Sequence, residues 1–244
     1  MQTNHKKQRF EILDFIRGIS IFLMFAYHFS YDLDYFGYIQ QSFTQDLFWT
    51  RFRTLIVTLF ITVMGASLYL ASYKGIAKKS FRKRLILLVI YSALVSISSW
   101  IMFPSAMILF GILHFITVAS LLGLLFIPLG IINLFLGLAI IISAQIFSHP
   151  VFDLASMQWL GFVTKLPIAV DYVPLFPWFG VVLIGMYLGQ KLSNTPKNSA
   201  LRNWKNHHPV SRYLALSGRY SLHIYMLHQP LFLGILYIIS QVIS

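Results

Sequence analysis

Cysteine is absent from the chain, which excludes disulfides, thiolate metal sites and a cysteine nucleophile. Charge is scarce as well: 11% of the 244 residues are charged and only seven are Asp or Glu, whereas 57% are hydrophobic. That much apolar surface does not fit inside one water-soluble core, so most of it has to face lipid. No glycine-rich phosphate loop follows a predicted strand, which disfavours nucleotide hydrolysis. The alternating segments of a membrane β-barrel are missing too. Internal repeats and low-complexity linkers are also lacking, so residues 1–244 read as a single membrane domain.

What is present is a series of continuous apolar runs, near 11–33, 52–73, 84–103, 105–127, 130–148, 175–192 and 213–243. A span needs roughly 20 apolar residues to cross a ~30 Å hydrocarbon layer. The runs predict an all-α, polytopic integral membrane helix bundle of about seven transmembrane helices, multi-pass in a cell membrane, with backbone groups satisfied inside each helix. The last run is long enough to bend or break at Pro230. The opening MQTNHKKQRF is basic, but no small-residue cleavage site follows and Asp14 and Arg17 lie in the first turns, so a retained span is expected rather than a signal peptide.

The net charge of +12 lies between apolar segments and not along one polar face, which argues for membrane topology over nucleic acid. Lys6, Lys7 and Arg9 precede the first span; Lys74, Lys78, Lys79, Arg82, Lys83 and Arg84 fill the second connection; Lys191, Lys197, Arg202, Lys205 and Arg212 fill the sixth. The intervening connections hold Arg51, Arg53 and Lys165 beside Asp32, Asp34, Asp46, Asp153 and Asp171. The alternation predicts a cytoplasmic N-terminus and a C-terminus on the far side. The run K-G-I-A-K-K-S-F-R-K-R suits anionic headgroups or the phosphates of a soluble cofactor, although topology alone also explains it. The outer connections 34–51 and 149–174 carry Tyr35, Phe36, Tyr38, Trp49, Trp159 and Tyr172, either as a roof over a pocket or as an interfacial aromatic belt. Gly65, Gly180, Gly185 and Gly189 are expected at close helix contacts.

Polar residues in the first run are ordered. At about 100° per residue, Asp14, Arg17, His28 and Asp32 fall within an arc of roughly 60°, a stripe that must face protein or water. Asp14 and Arg17 are helical neighbours that neutralise each other, as a functional pair or as an interfacial one. His28 and Asp32 can pair as an imidazole with its carboxylate orienter, the arrangement a general base needs. His114 lies in F-G-I-L-H-F-I, where substrate or acyl-carrier contact competes with interhelical hydrogen bonding. His228 precedes Gln229 and Pro230, and the pair can re-satisfy backbone that the proline frees. His223 is within helical reach of His228, but no Cys, Asp or Glu in that segment completes a metal set, so no metal is expected.

Four segments, L-D-F-I-R-G-I-S-I-F-L-M-F-A-Y-H-F-S-Y-D-L, F-G-I-L-H-F-I, L-F-P-W-F-G-V-V-L-I-G-M-Y-L-G and S-G-R-Y-S-L-H-I-Y-M-L-H-Q-P-L, together resemble the heparan-alpha-glucosaminide N-acetyltransferase-like family. The Arg-Gly of the first segment, with a histidine eleven residues after the arginine, also resembles the wider group of membrane acyltransferases that modify surface glycans. The resemblance implies acyl transfer, typically of acetyl from cytoplasmic acetyl-CoA, to a hydroxyl or amine of a glycan on the opposite side. It matches Asp14, Arg17, His28, His114 and His228. The heparan enzyme itself is larger and has more spans, so His28 rests on the wider acyltransferase pattern.

The expected mechanism joins both lines. His28, oriented by Asp32, accepts the acceptor's proton as it attacks the thioester. Arg17 lies about 16 Å along the helix from His28, comparable to an extended pantetheine arm. Phosphates held by Arg17 beside Asp14, with Lys78, Lys79 and Arg82, would present the acyl carbon, while His114 or His228 holds the thioester oxygen or the arm. An acyl-histidine intermediate and direct transfer both remain open. The expected partners are the bilayer, acyl-CoA and an extracytoplasmic glycan, with no nucleic acid and oligomerisation left open. The rival from another class is a small transporter or lipid-handling protein using the same stripe, against which stands the lack of symmetry between halves. An assembly subunit without chemistry leaves the stripe unexplained.

Overall fold

The computed structural model describes residues 10–169, 171–196, 198–204 and 208–243. Lys6, Lys7, Arg9, Lys197 and Lys205, part of the charge alternation, lie outside the described residues. Those described form α1 (Glu11–Tyr35), α2 (Leu47–Ser72), α3 (Lys78–Met102), α4 (Ile112–Phe126), α5 (Ile132–Ile146), α6 (Leu175–Ser193), α7 (Pro209–Arg219) and α8 (Ser221–Ile243), with short 3-10 turns between some of them. The protein is an all-α polytopic membrane bundle: six helices are long and apolar enough to span, α4 together with its 3-10 extension to Leu129, and α5 is a shorter apolar helix.

Several boundaries differ from the hydropathy reading, and α2 begins at Leu47, inside the stretch read as a connection. α3 begins at Lys78, so Lys78, Lys79, Arg82, Lys83 and Arg84 sit on its first turns rather than in a loop. Lys and Arg are good helix formers, and the helix continues past the apolar window that marks the span. α4 begins only at Ile112, because Pro104 opens a 3-10 turn and Gly111 takes an extended conformation at the cap. The last run divides at Tyr220, and α8 continues through Pro230. α7 is a separate helix of 11 residues, about 16 Å long and too short to cross. His208 caps it by accepting the Val210 N–H, Pro209 occupies a first-turn position where no N–H is needed, and Arg219 sits at the negative end of its dipole.

The described residues group into two compact units, one from Met1–Phe60 with Thr195–Ser244 and one from Ile61–Asn194. In the first, Ile21, Met24, Tyr27, Phe43 and Ile56 form the core. Phe43 carries the α1–α2 connection into it, packing on Trp49 at 4.4 Å and on Tyr27 at 5.6 Å. The backbone of Gln41 donates to Asp34 and the Trp49 indole donates to the Gln41 side chain, which anchors that connection. Tyr35 and Tyr38 remain exposed, so the aromatic residues of 34–51 divide between core and surface.

The second unit is held by close backbone approach. A side chain at Gly65 would meet the Val182 carbonyl, one at Gly185 that of Thr62, and one at Gly189 that of Ala66. Gly137 and Gly180 face each other across α5 and α6 in the same way. Where lipid gives no hydrophobic drive between helices, small residues let backbones approach and gain dispersion contacts.

Candidate functional site

The stripe on α1 is completed by α8, within the first unit. Asp32 is 1% exposed and His228 5% exposed, while His28 is half-buried. The Gln229 side-chain amide donates to Asp32 Oδ1 at 2.7 Å. The rings of His28 and His228 lie with centroids 5.0 Å apart, inclined by 64°. Aromatic residues from both helices enclose them: Phe25 stacks on His228 at 5.7 Å, and Phe232 sets its edge against Phe25 and His228 at 5.4 and 5.9 Å. The proximity of the two histidines was not legible in the sequence, because it depends on how α8 rotates about its axis.

The expected His28–Asp32 hydrogen bond does not form among the described residues. Residues four apart share a helix face, but here only Asp32 Oδ1 is engaged, by the Gln229 amide arriving from α8, and the histidine ring turns to His228 instead. Gln229 had figured only as a backbone partner near Pro230. His228 does bond backbone one turn back, at Tyr225 rather than at the carbonyl Pro230 frees: its Nδ1 is 2.6 Å from the Tyr225 oxygen. A carbonyl only accepts, so Nδ1 carries the hydrogen and the neutral ring keeps its lone pair at Nε2. Three buried atoms where α1 and α8 pack have no hydrogen-bond partner among the described residues: Asp32 Oδ2, His228 Nε2 and Gln229 Oε1. Leaving such atoms unpaired costs about 1–3 kcal/mol each, a cost that a water or a ligand supplying a donor removes.

Arg17 and Asp14 belong to a second cluster of the same unit. Arg17 Nη1 donates to Asp14 Oδ1 at 3.2 Å and to the Gly218 carbonyl at 3.3 Å. Arg219 reaches the other Asp14 oxygen at 3.4 Å, and Asp14 is buried. The neutralising Asp14–Arg17 pair therefore also ties α1 to α7. No linear spacing relates Arg219 to Asp14, so the sequence carries no signal for this contact.

The remaining candidates lie in the other unit. His114 Nδ1 accepts the Gly111 N–H at 3.3 Å, which places the ring hydrogen on Nε2, 3.2 Å from the Ser96 hydroxyl. That hydroxyl in turn donates to the Ile108 carbonyl at 2.7 Å. Both ring nitrogens of His114 are thus engaged, joining α3 to α4, which is the interhelical alternative for this residue. Asp171 closes the same helix end by accepting the Ile112 N–H at 2.9 Å. Lys78, Lys79 and Arg82 are exposed on the first turns of α3. That end of a helix is the positive end of its dipole, so α3 itself does not attract these cations.

A family model described as heparan-alpha-glucosaminide N-acetyltransferase, catalytic, matches residues 9–230. The chain belongs to this family. The match runs from before α1 to Pro230 and so takes in His28, Asp32, His228 and Gln229. Neither a curated protein nor a solved structure matches the chain. Family and fold together make this a multi-pass membrane protein of acetyltransferase type.

Proposed function

We propose that the chain moves an acetyl group from cytoplasmic acetyl-CoA to an amine or hydroxyl of a glycan on the far side of the cytoplasmic membrane, with the chemistry on the α1–α8 face of His28 and Asp32. The observation that carries this reading is the group of three buried acceptor atoms, on Asp32, His228 and Gln229, that meet no donor among the described residues where α1 and α8 pack. An attacking amine or hydroxyl brings the N–H or O–H donors that such a group lacks. The acceptor attacks the thioester carbon, the new C–N or C–O bond forms as the C–S bond breaks, and the proton passes through an imidazole of this face to the departing thiolate. General-base help of this kind contributes about 10²–10⁴-fold. Excluding water from the face would strengthen every polar contact made there.

Arg17 lies about 16 Å along α1 from His28, which suits a donor whose phosphates stay near the cytoplasmic surface while its pantetheine arm reaches inward. Arg17, beside Asp14, serves in this reading both the α1–α7 tie and the donor. Lys78, Lys79 and Arg82 are proposed separately as anion-binding residues, since clustered cations raise the local concentration of a phosphate-bearing donor.

The test is to incubate the purified full chain in lipid nanodiscs with acetyl-labelled acetyl-CoA and a panel of amino-sugar glycosides and envelope glycans. Label should move to an acceptor, and replacing both His28 and His228 with Ala should abolish the transfer while donor binding survives. Wild-type protein that neither binds acetyl-CoA nor moves its label would reject the reading. Replacing Lys78, Lys79 and Arg82 with Gln should weaken donor binding most at low salt; unchanged affinity there leaves them as topology signals.

A further inference from the structure

Resting on the reading above, we infer that the proton acceptor of the transfer is His228, held as a base by the Tyr225 carbonyl of its own helix. The geometry distinguishes the two histidines of the face. His28 is half-buried and makes ring contacts with Tyr27 and His228, with no hydrogen bond fixing its tautomer among the described residues. His228 is 5% exposed, and its Nδ1 lies 2.6 Å from a group that can only accept. That contact does for His228 what a carboxylate does for other catalytic imidazoles: it fixes which nitrogen carries the hydrogen and orients the ring.

The free lone pair is therefore at Nε2, and Nε2 is buried without a hydrogen-bond partner among the described residues. In water both ring nitrogens bond solvent; here the ring is held, with Phe25 stacked on it and Phe232 perpendicular to it. Asp32 Oδ2 and Gln229 Oε1, on the bonded pair beside His228, are acceptors as well, so the site is complementary to a group rich in N–H or O–H hydrogens. An acceptor amine holding one hydrogen to Asp32 or Gln229 has another to give to Nε2. The acceptor's nitrogen or oxygen forms its bond to the acyl carbon, its proton moves to Nε2, the C–S bond breaks, and the same proton leaves with the thiolate as the free thiol. His228 returns to its starting tautomer.

A purely structural His228, bonded to Tyr225 only to satisfy backbone, predicts different behaviour. In His228→Ala, turnover should fall at least 100-fold with donor affinity unchanged, and added imidazole or substituted imidazoles should restore it in order of their basicity. His228→Gln preserves a donor towards Tyr225 and should fold as wild type yet stay inactive. Full turnover in either variant, or loss that no exogenous base restores, overturns the assignment. Independently of any variant's folding, ¹⁵N-histidine spectra of the wild-type chain should show His228 as the Nδ1–H tautomer, with the Nε2 signal moving when the acceptor glycoside is added. An Nε2–H tautomer overturns it. If wild-type protein moves no acetyl group, the functional reading fails by itself, and the tautomer still reports on His228.

Discussion

Gly18 of α1 and Gly218 of α7 face each other at a crossing where neither helix has room for a side chain. A Cβ at Gly18 would collide with the Leu214 carbonyl, and one at Gly218 with the Asp14 carbonyl. The same crossing brings Arg17 and Arg219 to Asp14, so packing and charge pairing are fixed together. Gly218→Ala should cost about 1–3 kcal/mol, since backbone cannot yield as a side chain can. Gly234→Ala is the control: nothing lies within 4 Å of its Cβ position, and a helical Gly→Ala change there should be neutral or stabilising. Thermal unfolding of both variants in one detergent checks the pair, and equal melting temperatures would contradict the crossing.

Gln229 and Asp32 provide a second test. Gln229→Leu leaves a buried carboxylate without its hydrogen bond and should destabilise by about 1.5–3 kcal/mol, the range for bonds to charged groups. Adding Asp32→Asn removes the charge that suffers, so the double variant should be more stable than the sum of the single effects. A coupling of about 1 kcal/mol or more in the double-mutant cycle is the expected result. Strict additivity would mean that the bond is not made in the membrane.

His114 should behave as a structural residue. His114→Ala strips a partner from the Gly111 N–H and from the Ser96 hydroxyl, at a cost of about 1–3 kcal/mol in stability. Turnover per folded molecule should be unchanged. A well-folded but inactive His114→Ala would return this histidine to the chemistry.

Asp153 supplies a pH handle away from the spans. The Thr164 hydroxyl donates to its carboxylate, and the backbone N–H groups of Thr164 and Lys165 add to it at 2.7 and 3.2 Å. Above all the Thr164 side-chain bond holds the carboxyl below its ordinary range. A depressed folded value means that the stabilisation is present above the unfolded value of about 3.9 and is lost as pH falls through the folded one. The Thr164 amide proton should therefore titrate with a midpoint below ~3.9. Asp153→Asn should abolish that titration; a midpoint at or above the ordinary value would dismiss the clasp.

Orientation is checked by single cysteines, which are unambiguous because the chain has none of its own. Lys79→Cys should be shielded from an impermeant thiol reagent in intact cells, whereas Gln40→Cys and Leu160→Cys should be labelled. Labelling at position 79 would invert the topology.

Features that depend on neighbours along the chain were legible in the amino-acid order. Apolar run length located the spanning helices, helical spacing predicted the Asp14–Arg17 pair and gathered His28 and Asp32 on one stripe, and Gly65, Gly180, Gly185 and Gly189 marked close crossings, though not the one at Gly18 and Gly218. These follow from a fixed rise and turn per residue. Tertiary structure decided the partners: Gln229 rather than His28 for Asp32, Arg219 as a second cation for Asp14, Ser96 for His114, and the Tyr225 carbonyl that sets the tautomer of His228. Nearly uniform apolar helices carry little periodic signal for the direction each face takes, because lipid and protein interior are equally apolar surroundings. The rotation of α8 about its axis, and with it the meeting of His28 and His228, is therefore fixed by packing against α1. The separation of α7 likewise came from cap and dipole chemistry and from the bare backbone at Gly218, none of which changes the hydropathy of the run that contains it.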